Sequence, residues 1–171
     1  MTTKKMAQLS LLSAACVVGR IIFQFIPNFQ PMTAIFLWVV LLLGLRDAYI
    51  VMTLSLLLSS IYFAIGPWVI GQWLSYVLVL SLFALIFNHS FLKKKRGFLA
   101  VGFFLSGFLY GLGMTTFDVV LYRLPQPLIY YLQGISFDMM HSIGNLLFYI
   151  IFLPVVMRFK QNMGGKNEKN N

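Results

Sequence analysis

Charged residues are scarce in this sequence. Lysine, arginine, aspartate and glutamate together make up 10% of its 171 residues, whereas hydrophobic residues make up 60%. Soluble domains carry about 25% charged residues, so this chain has too few of them to cover a surface that faces water. The length is typical of a single domain. The composition therefore predicts an integral membrane protein with one domain.

Cysteine and the common catalytic motifs are also nearly absent. Cys16 is the only cysteine, which excludes an internal disulfide and argues against a cysteine-based metal site. The two histidines are a poor metal site, because His89 adjoins a predicted cytosolic loop and His141 lies inside a predicted span. The sequence has no Walker A and no His-Glu-x-x-His motif. We therefore expect no ATP hydrolysis by this chain, no cofactor and no metal, with an intramembrane enzyme as an alternative.

The net charge of +9 comes from basic residues that cluster between the hydrophobic runs and at the chain ends. This distribution is typical of topology signals and of contact with anionic lipid headgroups, and we expect no nucleic-acid partner. The N-terminus has the basic start, apolar run and small residues of a signal peptide. Its apolar run continues past Ala15, so we interpret it as a span that is retained.

Six apolar segments predict an all-α bundle of six transmembrane helices in residues 1–157. The predicted spans cover about residues 7–26, 33–45, 48–65, the segment after 73 up to Leu92, 97–117 and 134–157. Residues 66–73 are interpreted as a Gly/Pro/Trp turn and 118–133 as an amphipathic or looped connection. Residues 158–171 are predicted to be a disordered cytoplasmic tail.

Positive charge is concentrated on one side of these predicted spans. That side holds Lys4, Lys5, Arg46, Lys93, Lys94, Lys95, Arg96, Arg158, Lys160, Lys166 and Lys169. The other side has only Arg123, while Arg20 lies within the first span. The asymmetry predicts that both termini are cytoplasmic. Segments 27–32, 66–71 and 118–133 then face outward, and their Trp, Tyr, Pro, Gln and Asn residues favour a binding surface.

The sixth span contains the clearest polar cluster, Asp138, His141 and Asn145. Their spacing of three and then four residues places them on one face of a helix. Polar groups inside a membrane are costly and face the protein interior or a cavity. They form either one wall of a ligand pocket or a polar lock that holds the bundle together, and the sequence leaves both interpretations open.

Aromatic and amide residues near the predicted outer ends of the spans are further candidates for substrate binding. They are Asn28, Gln30, Trp68, Gln72, Trp73, Tyr76, Tyr122, Tyr130 and Tyr131. The alternative for the tryptophans and tyrosines is an aromatic belt at the membrane interface. We expect Gln72, Trp73 and Tyr76 to point inward.

Arg20 is the one cation buried in the middle of a span. It either snorkels to the outer interface or forms an ion pair with Asp138 or Asp118. We expect it to belong to a structural polar network, and direct ligand contact is the less favoured alternative.

Small residues on two predicted helices indicate close helix packing. The first span contains Ala15-x-x-x-Gly19, a small-xxx-small spacing that lets helix backbones approach each other. The fifth span carries a second set, Gly102, Ser106, Gly107, Gly111 and Gly113. That set favours tight packing or a flexible helix that lines a cavity.

Three separated segments carry a resemblance to a known family. They are "GRIIFQFIPNFQPMTAIFL" (19–37), "GPWVIGQWLSY" (66–76) and "GISFDMMHSIGNLLFYIIFLPVV" (134–156). In this order they resemble the signature regions of the substrate-binding S components of energy-coupling factor (ECF) vitamin transporters. The resemblance covers most of residues 7–157 and implies six spans in a bacterial cell membrane, with both ends in the cytoplasm. The pattern is most similar to the cobalamin S components of lactic acid bacteria, while riboflavin, pantothenate, folate and other precursors stay open.

The resemblance implies a mechanism. Such a subunit binds a vitamin near the outer surface, under a lid that would here be residues 27–32. It then docks on a transmembrane T component and two cytoplasmic ATPases, which use ATP, and it topples in the membrane to deliver the vitamin. The docking face would lie around Ala15 and Gly19, although S components often carry Ala-x-x-x-Ala there. A structural membrane protein of the rod-shape-determining, MreD-like kind is the alternative from another class.

Overall fold

The computed structural model describes residues 1–87 and 95–167, with side chains described as far as residue 158. These ranges are all-helical and contain six helices. They are α1 (Thr3–Ile22), α2 (Met32–Leu43), α3 (Leu45–Phe63), α4 (Pro67–Phe87), α5 (Arg96–Tyr122) and α6 (Pro127–Asn167). Five are long and apolar enough to cross a membrane, and α2 is shorter. The predicted all-α, six-helix fold is therefore confirmed, while the number of spans and the side on which the termini lie stay predictions.

The short helix α2 occupies the centre of the bundle. Its 12 residues span about 18 Å, less than the roughly 30 Å of a bilayer core. Nine of these residues are buried, as expected of a helix that is hydrophobic on all sides. It contacts α1, α3, α4 and α6. The long helices around α2 expose large apolar side chains, for example Leu11, Ile61 and Leu85, which is compatible with a surface that faces lipid.

Two predicted connections are shorter than the sequence analysis indicated, and proline is the reason. Pro67 and Pro127 fall in the segments predicted to be a turn and a connection, but each is the first residue of a helix. A proline costs little there, because the amide hydrogen that it lacks has no partner within the helix. The loop between α5 and α6 is thus limited to residues 123–126, and Arg123 ends α5 in the left-handed conformation, at φ 52°.

The end of α6 lies beyond the predicted membrane boundary at residue 157. The helix continues to Asn167 and so enters the segment predicted to be a disordered tail. The predicted end of the fourth span at Leu92, together with His89, Lys93, Lys94 and Lys169, lies outside the described residues.

Glycines let α5 and α6 approach each other closely. A Cβ at Gly107 would overlap the side chain and backbone of Ser142, and a Cβ at Gly111 would overlap the carboxylate of Asp138. Helix pairs in membranes gain much of their stability from such close packing. The prediction of tight packing for the glycine-rich fifth span is confirmed at these two positions.

The segment that joins α1 to α2, residues 23–31, is named the connector here. It is packed against both α1 and α6. Phe23 and Phe29 form an aromatic cluster with Phe148 of α6, with ring centroids 5.2–5.8 Å apart. At the end of the connector, Pro31 lies so close to Gly19 of α1 that a Cβ at residue 19 would overlap its ring. The connector is therefore held against α1 at one end and against α6 by its aromatic side chains.

Candidate ligand-binding site

A small polar cavity lies beside the connector and the start of α2. Its volume is about 40 Å³. All six helices and the connector contribute to its lining. The lining residues are Arg20, Asn28, Gln30, Met32, Thr33, Leu56, Gln72, Tyr76, Tyr110 and His141.

Three of these residues are joined by hydrogen bonds. Oγ1 of Thr33 lies 3.0 Å from the hydroxyl of Tyr76 and 2.7 Å from Nε2 of His141. All three side chains are buried. This chain of bonds connects α2, α4 and α6 at the wall of the cavity, which fixes the positions of the Tyr76 and His141 side chains.

Two buried polar atoms of lining residues have no hydrogen-bond partner in the described part of the chain. They are Oε1 of Gln72 and Nδ1 of His141. Buried polar groups in proteins are nearly always hydrogen-bonded, so each exception calls for an explanation. At the wall of a polar cavity, a bound molecule can supply the partner, which makes this cavity the candidate binding site.

Arg20 reaches the cavity from α1. Its Nη1 donates a hydrogen bond to Oγ of Ser59 at 2.8 Å, and its guanidinium lies 4.8 Å from the ring centroid of Phe63. No carboxylate of the described residues lies within 4.0 Å of it. The ion pair with Asp138 or Asp118 that was one alternative is therefore not formed. Arg20 takes part in a polar contact with α3, and it also lines the cavity.

Only one member of the polar cluster on α6 lines the cavity. His141 does, whereas Asp138 is buried against Gly111 of α5. Nδ2 of Asn145 donates to Oγ of Ser106, also on α5, at 3.2 Å. Asp138 and Asn145 thus lie at the contact between α5 and α6, and both interpretations of the cluster stay predictions.

Most of the predicted aromatic contacts lie away from the cavity. Trp73 is 40% exposed, and its Nε1 donates to Oγ1 of Thr53 at 3.0 Å. Gln72 and Tyr76 share a face of α4, but Trp73 is turned by about 100° from Gln72 and does not line the cavity. The remaining predicted residues that do not line it are Trp68, Tyr122, Tyr130 and Tyr131. The hydroxyl of Tyr130 instead donates to Asp118 at 2.9 Å.

Sequence reasoning missed Thr33 and Tyr110. Thr33 is the only polar residue of α2, and a single hydroxyl in such an apolar helix was a signal that could have been used. Tyr110 is buried in the glycine-rich α5 and is the residue of that helix that lines the cavity; a single aromatic residue in an apolar span gives no distinct signal in the sequence.

The two residues predicted to dock on a T component differ in exposure. Ala15 is exposed and lines an apolar groove of about 380 Å³ between α1, α2 and α6. Gly19 is buried against Pro31. Of the two, only Ala15 presents a surface to another protein.

No family model, curated protein or solved structure matches this chain. The class that the fold defines is a helical protein with five helices able to cross a membrane, compatible with a multi-pass membrane protein that has a polar cavity in its interior. The resemblance to S components stays a prediction.

Proposed function

We propose that this chain is the substrate-binding subunit of an ECF-type vitamin transporter in the plasma membrane of a bacterium. One observation carries the proposal. The three segments that resemble S components are far apart in sequence, yet all three contribute to the same polar cavity. Residues 19–37 supply Arg20, Asn28, Gln30, Met32 and Thr33; residues 66–76 supply Gln72 and Tyr76; residues 134–156 supply His141.

A purely structural membrane protein has no use for three separated segments that meet at one polar cavity. Two of the six buried polar atoms that lack a partner in the described residues belong to the lining of the cavity. In a scaffold such atoms only reduce stability, whereas a binding protein can use these two to hold its ligand. The cavity therefore supports a binding role over the structural, MreD-like alternative.

The cavity has to enlarge to hold a vitamin. Pockets for ligands of that size usually have volumes of roughly 300–1,000 Å³, and this cavity has about 40 Å³. The connector is the segment best placed to move. Its contacts with α6 include the aromatic cluster, the packing of Phe29 on Gly144, and a long hydrogen bond, 3.5 Å, from Nδ2 of Asn28 to the carbonyl oxygen of Phe137. In the proposed cycle the connector opens outward, and the loaded subunit passes the vitamin on by toppling on a T component and two ATPases.

The experiment is a binding measurement on the purified full-length protein. Calorimetry with a vitamin panel, and absorbance of any co-purified ligand, should identify one vitamin that binds without ATP; a red chromophore would indicate cobalamin. Gln72→Leu, at the cavity, should weaken binding, whereas Gln133→Leu, exposed on α6, should not. If no member of the panel binds, the proposed function is wrong.

A further inference from the structure

Arg20 is a partly buried cation in the last turn of α1, without an anion beside it. It lines the cavity, and no carboxylate of residues 1–87 and 95–158 lies within 4.0 Å of it. The contacts that it does make, with the Ser59 hydroxyl and the Phe63 ring, do not neutralise its charge. An ionisable residue in this position usually marks the path or the site of a substrate. We propose that the cavity binds an anionic group of the transported solute, a carboxylate or a phosphate, with Arg20 as its counter-ion.

The start of α2 supports the same conclusion independently. Pro31 precedes the helix and makes no side-chain capping hydrogen bond. Ile35 is the first residue whose amide bonds back, to the carbonyl oxygen of Pro31 at 2.9 Å, so the amides of residues 32–34 have no acceptor within the helix. These amides and the helix dipole make the start of a helix attractive to anions. Met32 and Thr33 of this first turn line the cavity.

The neutral polar groups of the cavity can complete such a site. If Nε2 of His141 accepts the hydrogen bond of Thr33, the ring proton is on Nδ1, the atom that lacks a partner. Nδ1 is then a donor for a ligand oxygen. Rotation of the Gln72 carboxamide by 180° exchanges its oxygen and nitrogen and places a donor at the position that lacks a partner. Oxygen atoms of a carboxylate or phosphate accept from all of these donors.

The cavity is large enough for the anionic group of a solute but too small for the whole solute. About 10–15 Å³ is enough for one water molecule, so a volume of about 40 Å³ has room for a carboxylate or a phosphate. The body of the solute would then lie where the connector now packs. This assignment of the substrate class rests on the proposed function, but anion binding by Arg20 can be measured without any vitamin.

The test uses the full-length protein in a neutral detergent at constant ionic strength. Sodium acetate and inorganic phosphate, each compared with sodium chloride, should raise the melting temperature of the wild-type protein. The second measurement compares the affinity for matched pairs of vitamins, nicotinate with nicotinamide and pantothenate with panthenol. If the protein binds one of the two acids, its affinity for that acid should exceed its affinity for the neutral partner by about tenfold or more. Arg20→Gln should remove both effects. Arg123→Gln, which removes an exposed cation next to the α5–α6 loop, should leave both unchanged.

The outcomes separate the two proposals. If a vitamin binds wild-type and Arg20→Gln protein equally well, the anion site is wrong and the proposed function stands. If acetate and phosphate stabilise the protein through Arg20 but no vitamin binds, the site stands and the proposed function is wrong. Equal stabilisation of both variants by these anions overturns the site. If Arg20→Gln does not fold, Arg20→Lys takes its place in the test, because an ammonium keeps the charge without the forked geometry of a guanidinium. The lysine variant should still prefer the acid of each pair, at reduced affinity. Loss of that preference would overturn the site.

Discussion

The hydroxyl of Thr33, in the first turn of α2, lies 2.7 Å from Nε2 of His141 in the middle of α6. The same hydroxyl lies 3.0 Å from the hydroxyl of Tyr76 on α4. One small side chain thus connects three helices at the wall of the cavity. Because the three groups are buried, the loss of Thr33 would remove the hydrogen-bond partner that the other two share.

Replacement of Thr33 by valine should therefore destabilise the protein. The change preserves the shape of the side chain but leaves the Tyr76 hydroxyl and His141 Nε2 without a partner. We expect a loss of about 1–2 kcal/mol, since hydrogen bonds inside membrane proteins contribute about 0.6 kcal/mol on average and unsatisfied groups cost more. Unfolding titrations of the purified protein would measure it. Thr116→Val is the control, because the Thr116 hydroxyl is exposed and bonds only to its own helix, at the carbonyl oxygen of Leu112; an equal loss in both variants would contradict the proposed role.

The outline of the fold could be predicted from the sequence, because in lipid an apolar run of sufficient length is itself a signal for a helix. The boundaries at Pro67 and Pro127 could not, since a proline that starts a helix and one that ends a helix look alike in sequence. The central position of α2 could not be predicted either, because it depends on tertiary packing and the length of the helix gives no indication of it.

Residues of the candidate site were predicted correctly only where helical periodicity determined which way their side chains point. Gln72 and Tyr76 are four residues apart and lie at the cavity together, whereas Trp73 between them does not. Periodicity placed Asp138 and His141 on one face of α6, but Asp138 packs against Gly111 of α5 and only His141 lines the cavity. Contacts of that kind depend on how two helices meet, and no single sequence specifies them.

The contact between α5 and α6 makes a prediction for its glycines. Gly111→Ala would force a Cβ against the buried carboxylate of Asp138. We expect a loss of about 1–3 kcal/mol, typical of an overpacked interior, measured by the same unfolding titrations. Gly134→Ala on α6 is the matched control, because nothing lies within 4 Å of its Cβ position, and alanine there should stabilise the helix by roughly 0.5–1 kcal/mol. If Gly111→Ala were as stable as Gly134→Ala, the two helices could not be as close as described.

The exposed position of Ala15 makes a prediction for transport. Ala15→Trp adds bulk at the apolar groove that α1 forms with α2 and α6, and it should leave folding and ligand binding unchanged. Uptake by cells that contain the T component and ATPases should fall severalfold if this groove is the docking surface. Ala14→Trp is the control, because Ala14 is exposed on α1 but does not line the groove.

Gly19→Leu should behave differently from Ala15→Trp. Its side chain would collide with Pro31, so it should displace the connector and lower both stability and ligand binding. If it reduced uptake alone, Gly19 would belong to the docking surface, as the small-xxx-small motif first indicated.

The predicted orientation can be tested with single cysteines. Cys16 is fully buried, so the wild-type protein should react slowly with a maleimide that does not cross membranes. Ile65→Cys, in the exposed turn between α3 and α4, and Gln126→Cys, in the loop between α5 and α6, should be labelled in intact cells. Thr3→Cys, at the exposed start of α1, should be labelled only after the membrane is opened. These substitutions leave the lysines and arginines in place, so they do not alter the charge asymmetry on which the orientation rests. Labelling of Thr3→Cys in intact cells, with protection of the other two, would place the cavity on the cytoplasmic side and contradict capture from outside.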